Sequence, residues 1–407
     1  MKLRLAVLLL AALPAFAQTA FPTDDVALDS LFLLRHVSGT TMNPGTRLPH
    51  LVSGGDTWSF FHSFNAHVTY VSESGPEEQR NETFSTNWLT AGVHGQLGER
   101  MSFLVRGRVS AEPYTIPEEG YPQILQYVSP EGGQVLLDRM RPHDLIGEAA
   151  AEIAFRTTQT SFLHLYAAAI GDPALGAPPA ALRASGTDFA EAPLSWDVQE
   201  SFHHKTSVIT LGYSSKVLNL EYSVFHDAIS TPDYTEIETD GDIDSSSMRL
   251  TLMPTRNMAI QVSRGELGED DLTKREITSA SIGYVTDAVA TTALWTRRET
   301  ETGPASTAYG LELTLRAARS TIMGRAEWVD RPTDLFLTRD PFVPTVEQTA
   351  HFTVGYLYDV LAGSRYRAGI GVNIDYHQNT HELEELAEER YGHKPQSIYA
   401  FVRFRTR

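Results

Sequence analysis

From Trp58 to the end of the chain, apolar and polar side chains alternate in segments of about ten residues, a period of two that marks β-strands with unlike faces. In Tyr366 to Tyr376, the residues Ala368, Ile370, Val372, Ile374 and Tyr376 point one way, while Arg367, Gly369, Gly371, Asn373 and Asp375 point the other. Gly310 to Arg316 repeats the pattern, with Leu311, Leu313 and Leu315 set against Glu312, Thr314 and Arg316. One face of each segment is greasy and the other wet. Helical stripes and heptads are scarce.

Sixteen such segments are predicted, at 58–72, 84–97, 101–112, 143–156, 160–171, 205–216, 218–228, 245–254, 258–266, 275–286, 289–299, 307–317, 320–330, 347–360, 366–377 and 396–405. Their connections alternate in length. Short ones include Gly98-Glu99-Arg100, Thr157-Thr158-Gln159, Thr255-Arg256-Asn257 and the neighbourhood of Arg319; long ones lie between, at 73–83, 113–142, 172–204, 229–244, 267–274, 331–346 and 378–395. In a hairpin meander every second connection shares a side, so one rim is tight and the other elaborate. The fold expected is all-β: a transmembrane, antiparallel, up-and-down β-barrel of about 16 strands (12–18), with short periplasmic turns and long extracellular loops. An even strand count returns both ends of the barrel to the periplasmic side.

Two further patterns favour a barrel over a soluble β-sandwich. Aromatics gather near strand ends, as with Phe60, Phe61 and Phe64, Trp88, Trp295, Trp328, Tyr356 and Tyr358, which suits interfacial girdles. Ionisable residues sit mid-strand on the wet face, among them Arg106, Arg108, Glu148, Glu152, Arg325 and Glu327. A dry core tolerates such groups poorly and a water-filled lumen takes them readily.

The ends and the composition narrow the class. Lys2 and Arg4 lead into an apolar run from Leu5 to Phe16, and Ala15-Phe16-Ala17 supplies an A-x-A site, so residues 1–17 read as a signal peptide for Sec-dependent export to the outer membrane. Residues 18–57, rich in Asp, Gly, Pro and Thr, read as an irregular periplasmic segment in which Asp29 to His36 could add a short strand or plug element, and 58–407 as the barrel. The chain has no cysteine, which excludes disulfides, thiolate metal sites and cysteine nucleophiles. With 33 basic and 51 acidic residues its formal charge is −18, which argues against a nucleic-acid partner.

The pattern resembles bacterial porins and related outer-membrane proteins over nearly the whole chain. In such barrels the last strand ends in an alternating aromatic signal read by the barrel-assembly machinery; here Ile398, Ala400, Val402 and Phe404 alternate with Tyr399 and Phe401, and the chain then runs on through Arg405-Thr406-Arg407. The runs Thr86-Asn87-Trp88-Leu89, Arg141-Pro142-His143-Asp144 and Gly171-Asp172-Pro173-Ala174-Leu175-Gly176 are similar to a group of outer-membrane barrel proteins of Gram-negative-type bacteria to which no activity is assigned. The resemblance implies fold, location, contact with outer-membrane lipid and, at family level, homo-oligomers. It carries no chemistry.

In sixteen-strand porins the third outward loop folds inward and narrows the pore, and the resemblance implies the same for Asp172 to His204. Asp188, Glu191, Asp197 and Glu200 would then face lumen arginines such as Arg106, Arg108, Arg249, Arg325 and Arg367, a constriction that sorts solutes by size and charge. A second candidate is a metal site from His143, Asp144, Glu200 and His203, set against loop-anchoring histidines, because no HxH or HExxH spacing fixes two ligands on one face. Ser201 near His203 is the nearest pairing for hydrolysis, but no G-x-S-x-G elbow accompanies it. The acidic run Glu382, Glu384, Glu385, Glu388 and Glu389 reads as a solvated surface loop. The expected function is a pore for passive diffusion of small hydrophilic solutes or ions, with no cofactor and no catalysis; the alternative is a non-conducting barrel with a structural or ligand- or metal-binding role at its outer loops.

Overall fold

The computed structural model describes residues 28–45, 50–54, 57–74, 81–128, 136–199, 205–228, 234–235, 241–268, 274–301, 303–332, 346–379, 388, 390–392 and 394–407. The signal peptide expected at 1–17 lies outside them. The lead-in holds helix α1 (Leu28–Leu33) and the short strands β1 (His36–Ser38), β2 (Thr41–Met42) and β3 (Leu51–Gly54). The first barrel strands are β4 (Trp58–Glu73), β5 (Asn81–Gln96) and β6 (Met101–Val109). After them come helix α2 (Glu112–Thr115) and a separate hairpin, β7 (Tyr121–Val128) with β8 (Leu136–Met140).

The barrel resumes with β9 (Ile146–Thr158) and β10 (Ser161–Ile170), is interrupted by helix α3 (Trp196–Gln199), and continues with β11 (Lys205–Ser215), β12 (Leu218–Asp227), β13 (Ser245–Thr255) and β14 (Met258–Leu267). It finishes with β15 (Arg275–Val285), β16 (Val289–Thr300), β17 (Ser306–Ala317), β18 (Ser320–Pro332), β19 (Val346–Ala362), β20 (Tyr366–Asn379) and β21 (Gln396–Thr406). All sixteen expected strands are present, and each shifts at its ends by only a few residues. β21 pairs with β4 from Ser397↔Glu73 to Arg405↔Asn65, which closes the ring. Beyond that point β3 pairs with Ser59 to His62 and covers the part of β4 that β21 does not reach.

The alternation decides the faces. Val68, Tyr70, Leu211, Tyr222, Val262, Ile322, Val354 and Ile370 project outward and are exposed, Val354 by 66 %. A belt of that extent in water would be an aggregation surface, whereas hydrocarbon accepts it. Near the short-turn rim Phe64 packs at 5.1 Å from Phe404 and 5.9 Å from Tyr366, an aromatic girdle of the kind expected at a membrane interface.

The inside departs from the expectation for residues 18–57. Residues 28–45 lie within the barrel, which includes the stretch Asp29 to His36 read as a possible plug element, and there Phe32, Leu33, Leu34 and Met42 pack on Phe61, Leu104, Phe162 and Met253 of the wall. The apolar face of α1 explains why: six residues cannot hold a helix alone, and burial against wall side chains supplies what propensity does not. The connection after β10 also turns inward, burying Leu175 against Tyr166, Val208, Phe225 and Ile277. With the observed strand ends, the 110–145 connection is longer than 171–204, and its β7–β8 hairpin lies over the inward loop.

Candidate functional site

Two inserted segments share the lumen. The first, residues 28–45, is bonded to the wall of β5, β6, β9, β10 and β13. Asp29 accepts from Ser102 (2.9 Å) and pairs with Arg156 (2.7 Å). His36 and His164 each meet Glu152 at 2.9 Å. Arg106 binds Glu148 at 2.6 Å and donates to the carbonyls of His36 (2.7 Å) and Gly39 (2.6 Å); Arg108 binds Glu148 at 2.9 Å and donates to Ser38 (2.9 Å) and to the carbonyl of Val37. Arg249 joins Glu221 (2.8 Å) to Thr40 (2.6 Å). Gly39 sits at φ +52° with its α-carbon so near Asp172 that a β-carbon would lie 2.1 Å from that carbonyl oxygen, so only glycine fits.

The second segment is the loop after β10, which crosses to the other half of the wall. Ala174 and Gly176 donate to Ser223 (2.8 Å) and Ser263 (2.9 Å). Arg183 grips Glu312 through two bonds of 2.6 Å, and Ser185 donates to the same carboxylate at 2.8 Å. Asp188 takes Arg316 and Arg405 at 2.8 Å and also Arg403. Leu194 and Ser195 donate to Glu327, which His351 bonds from the other side at 3.0 Å. Arg331 holds Asp197 at 2.8 Å. From above, Gln123 of the β7–β8 hairpin donates to the Ala192 carbonyl at 2.7 Å.

The loop's own acids have opposed electrostatics. Burial works against ionising Asp188, but Arg405, Arg403 and Arg316 outweigh it and hold the carboxyl well below the usual range. Burial, then the neighbouring Asp375, push Glu191 up to about 8 against the pull of Arg325 and the 2.6 Å bond from Asn373. Burial likewise raises Asp172 to about 6, opposed by Ser38 and Arg108. Because the folded value of Glu191 exceeds the ordinary 4.5, its contribution to docking is fully present below 4.5 and is lost as pH rises through about 8. Protease cleavage of the loop in folded protein is therefore expected to increase across that window and to stay flat in Glu191→Gln; equal profiles would refute the assignment.

Two cavities remain beside the loop. One, of about 370 Å³, opens at the short-turn mouth between Val285, Arg367, Arg405 and Ala184. The other, of about 90 Å³, lies toward the long loops between Glu112, His143, Glu191 and Trp196. Asn65, Trp88 and Thr187 line both, and Asn65 donates to Thr187 at 2.7 Å (carbonyl) and 3.2 Å (hydroxyl). That contact between wall and loop lies between them.

The expected constriction residues are thus brought inside, but mostly with other partners. Asp188 meets Arg316, Arg403 and Arg405 rather than the arginines named for it. Asp197 meets Arg331, and Glu191 lies 3.6 Å from Arg325. Arg106 and Arg108 serve Glu148 and the N-terminal segment, Arg249 serves Glu221, and Arg367 serves Asp359 at 2.8 Å. Glu200, Ser201 and His203 lie outside the described residues. Of the other candidate metal ligands, His143 bonds Glu112 (2.7 Å) and Asp144 bonds Arg141 (3.2 Å), so they point to different partners. Among the described residues no three His, Asp or Glu side chains converge to hold a metal. The sequence did contain one usable signal for the wall pairs: the two-residue turn after Ala317 fixes the register that sets Glu312 opposite Arg325.

The sequence matches no known protein family and no curated protein. Among solved structures the chain is similar to the anion-selective porin of Comamonas acidovorans, with 9 % identity over 86 % of this chain and 99 % of that one and a TM-score of 0.53. It is also similar to OmpF of Salmonella typhi in complex with daunomycin, with 9 % identity over 87 % and 100 % and a TM-score of 0.54. At such identity the likeness is one of fold, and that fold is a closed, antiparallel sixteen-strand β-barrel shared with these outer-membrane proteins.

Proposed function

We propose that the chain is an outer-membrane channel through which small hydrophilic solutes or ions diffuse without energy coupling. The observation that carries this reading is the pair of cavities on either side of Asn65, Trp88 and Thr187 inside a closed barrel with a polar inner face. In this reading the chain is exported by the Sec route, inserted by the barrel-assembly machinery and embedded in outer-membrane lipid. Catalysis has no part in this reading.

Planar-bilayer recording tests the proposal. Stepwise current of small amplitude is expected, larger in Trp88→Ala, which widens the shared wall. A second reading is favoured by one observation, the burial and pairing of the lumen arginines, of which Arg331 and Arg403 are fully covered. That reading is a closed barrel with a binding or structural role. A barrel that migrates as folded on an unheated gel yet stays silent in the bilayer would replace the first reading with the second.

A further inference from the structure

The larger cavity, at the short-turn mouth, has an unbalanced wall. Arg316, Arg367, Arg405 and Arg407 line it, and Asp287 is its one carboxylate among the described residues. Behind this wall Asp188 takes Arg316, Arg403 and Arg405, while Asp359 takes Arg367 (2.8 Å) and Arg403 (2.7 Å). Among the described residues five guanidiniums therefore outnumber the side-chain carboxylates Asp188, Asp359 and Asp287 around a concave space. Donors are in excess as well: the Nε atoms of Arg367, Arg403 and Arg405 are buried with no acceptor among the described residues. On the same cavity, His50 is only 8 % exposed and its Nδ1 has no partner among them. Ser63, Thr90 and Thr187 add hydroxyl groups.

A wall of this kind repels cations, and the group whose geometry matches guanidinium donors is an oxyanion. At about 370 Å³ the space is within the range of small-molecule sites. We propose that this mouth binds a phosphate group, free or carried on a small hydroxylated solute. Arg367 is its principal contact, because it lines the space and shares its carboxylate partner Asp359 with Arg403. Arg407, exposed at the rim, adds a second, more screened cation. The proposal goes beyond the channel reading and does not need the barrel to conduct.

Titration of inorganic phosphate into the detergent-folded chain at low ionic strength, followed by phosphorus NMR line width, reads the site directly. Saturable binding is expected. It should weaken about tenfold in Arg367→Gln, the loss of one charged hydrogen-bond donor group. It should weaken less in Arg407→Gln, where nothing structural is removed, and tighten in Asp287→Asn. Glucose 6-phosphate should displace phosphate if the natural source is a phosphorylated solute, and should fail to do so if it is the free ion; either result supports an oxyanion site. Absence of saturation in folded wild type, binding unchanged in both arginine variants, or displacement by glucose itself would overturn it. Phosphate binding by a barrel silent in bilayers would remove the channel reading and keep this site, and a conducting barrel without binding would do the reverse.

Discussion

Replacing Asp188 by alanine is expected to detach the inward loop from the wall and to destabilise the folded barrel by about 3–5 kcal/mol, the usual cost of leaving a buried charge without its partner. Three guanidiniums converge on this one carboxylate, Arg316 and Arg405 at 2.8 Å and Arg403 beside them. Asp188 and Arg403 are both wholly buried, so water cannot take over when the acid is lost. Arg403 would keep Asp359 at 2.7 Å, but Arg316 and Arg405 would be left facing each other as like charges. The loop would lose the carboxylate that ties it to all three arginines. Urea unfolding and limited proteolysis of the loop in folded protein check this. Asp188→Asn separates charge from space, since it keeps the volume and loses the pairing; an unfolding midpoint unchanged in both variants would show that the three arginines are held by something else.

Deleting residues 28–45 is expected to raise unit conductance more than any single substitution in the inward loop. The deleted part is what fills the lumen beside β6, β9 and β10, through Asp29, His36, Ser38 and the carbonyls of His36, Val37 and Gly39. The wall keeps its other buried ion pairs without it, though Arg156 loses Asp29. Arg106 would keep Glu148 at 2.6 Å, Arg249 would keep Glu221 at 2.8 Å, and His164 would keep Glu152 at 2.9 Å. The barrel should therefore stay closed as a ring while its bore widens, because sixteen strands by themselves enclose an aqueous channel. Single-channel recording on truncated protein that still shows folded migration is the measurement. Unchanged conductance would mean that the segment lies off the path.

The strands were legible because alternation is local: inward small or polar residues are flanked by outward Val or Ile, as with Gly371 and Asn373 between Ile370, Val372 and Ile374, whatever the rest of the chain does. Strand order followed from the same local facts, since short turns force neighbours to pair. The inward loop was legible only through resemblance. Its partners were not, because Asp188 meets Arg403 and Arg405 across more than half the chain, and no spacing encodes which wall arginine lies at which depth. Residues 28–45 were the harder case. A segment rich in small and polar residues has the same composition whether it lies in solvent or in a polar lumen, and here the wall arginines grip its backbone carbonyls, which every sequence possesses. Arg106 and Arg108 were accordingly read as facing the loop when they face the N-terminal segment.

The closing pair of the barrel also constrains how the chain can be put together. β4 and β21 join the two ends of the sequence, and the backbone of Phe64 meets the Thr406 hydroxyl at 3.3 Å across 342 residues. Contacts of such separation carry the greatest loop-closure entropy and form late, whereas every other neighbour in the ring is a local hairpin or a single longer excursion. Residues 28–45 lie immediately before β4, on the strand that waits for this closure, yet their seats on Glu148, Glu152 and Arg249 are on strands from the middle of the ring. Filling the bore and sealing the seam are therefore steps of one event: a ring sealed with this stretch outside would have to thread it back through the mouth.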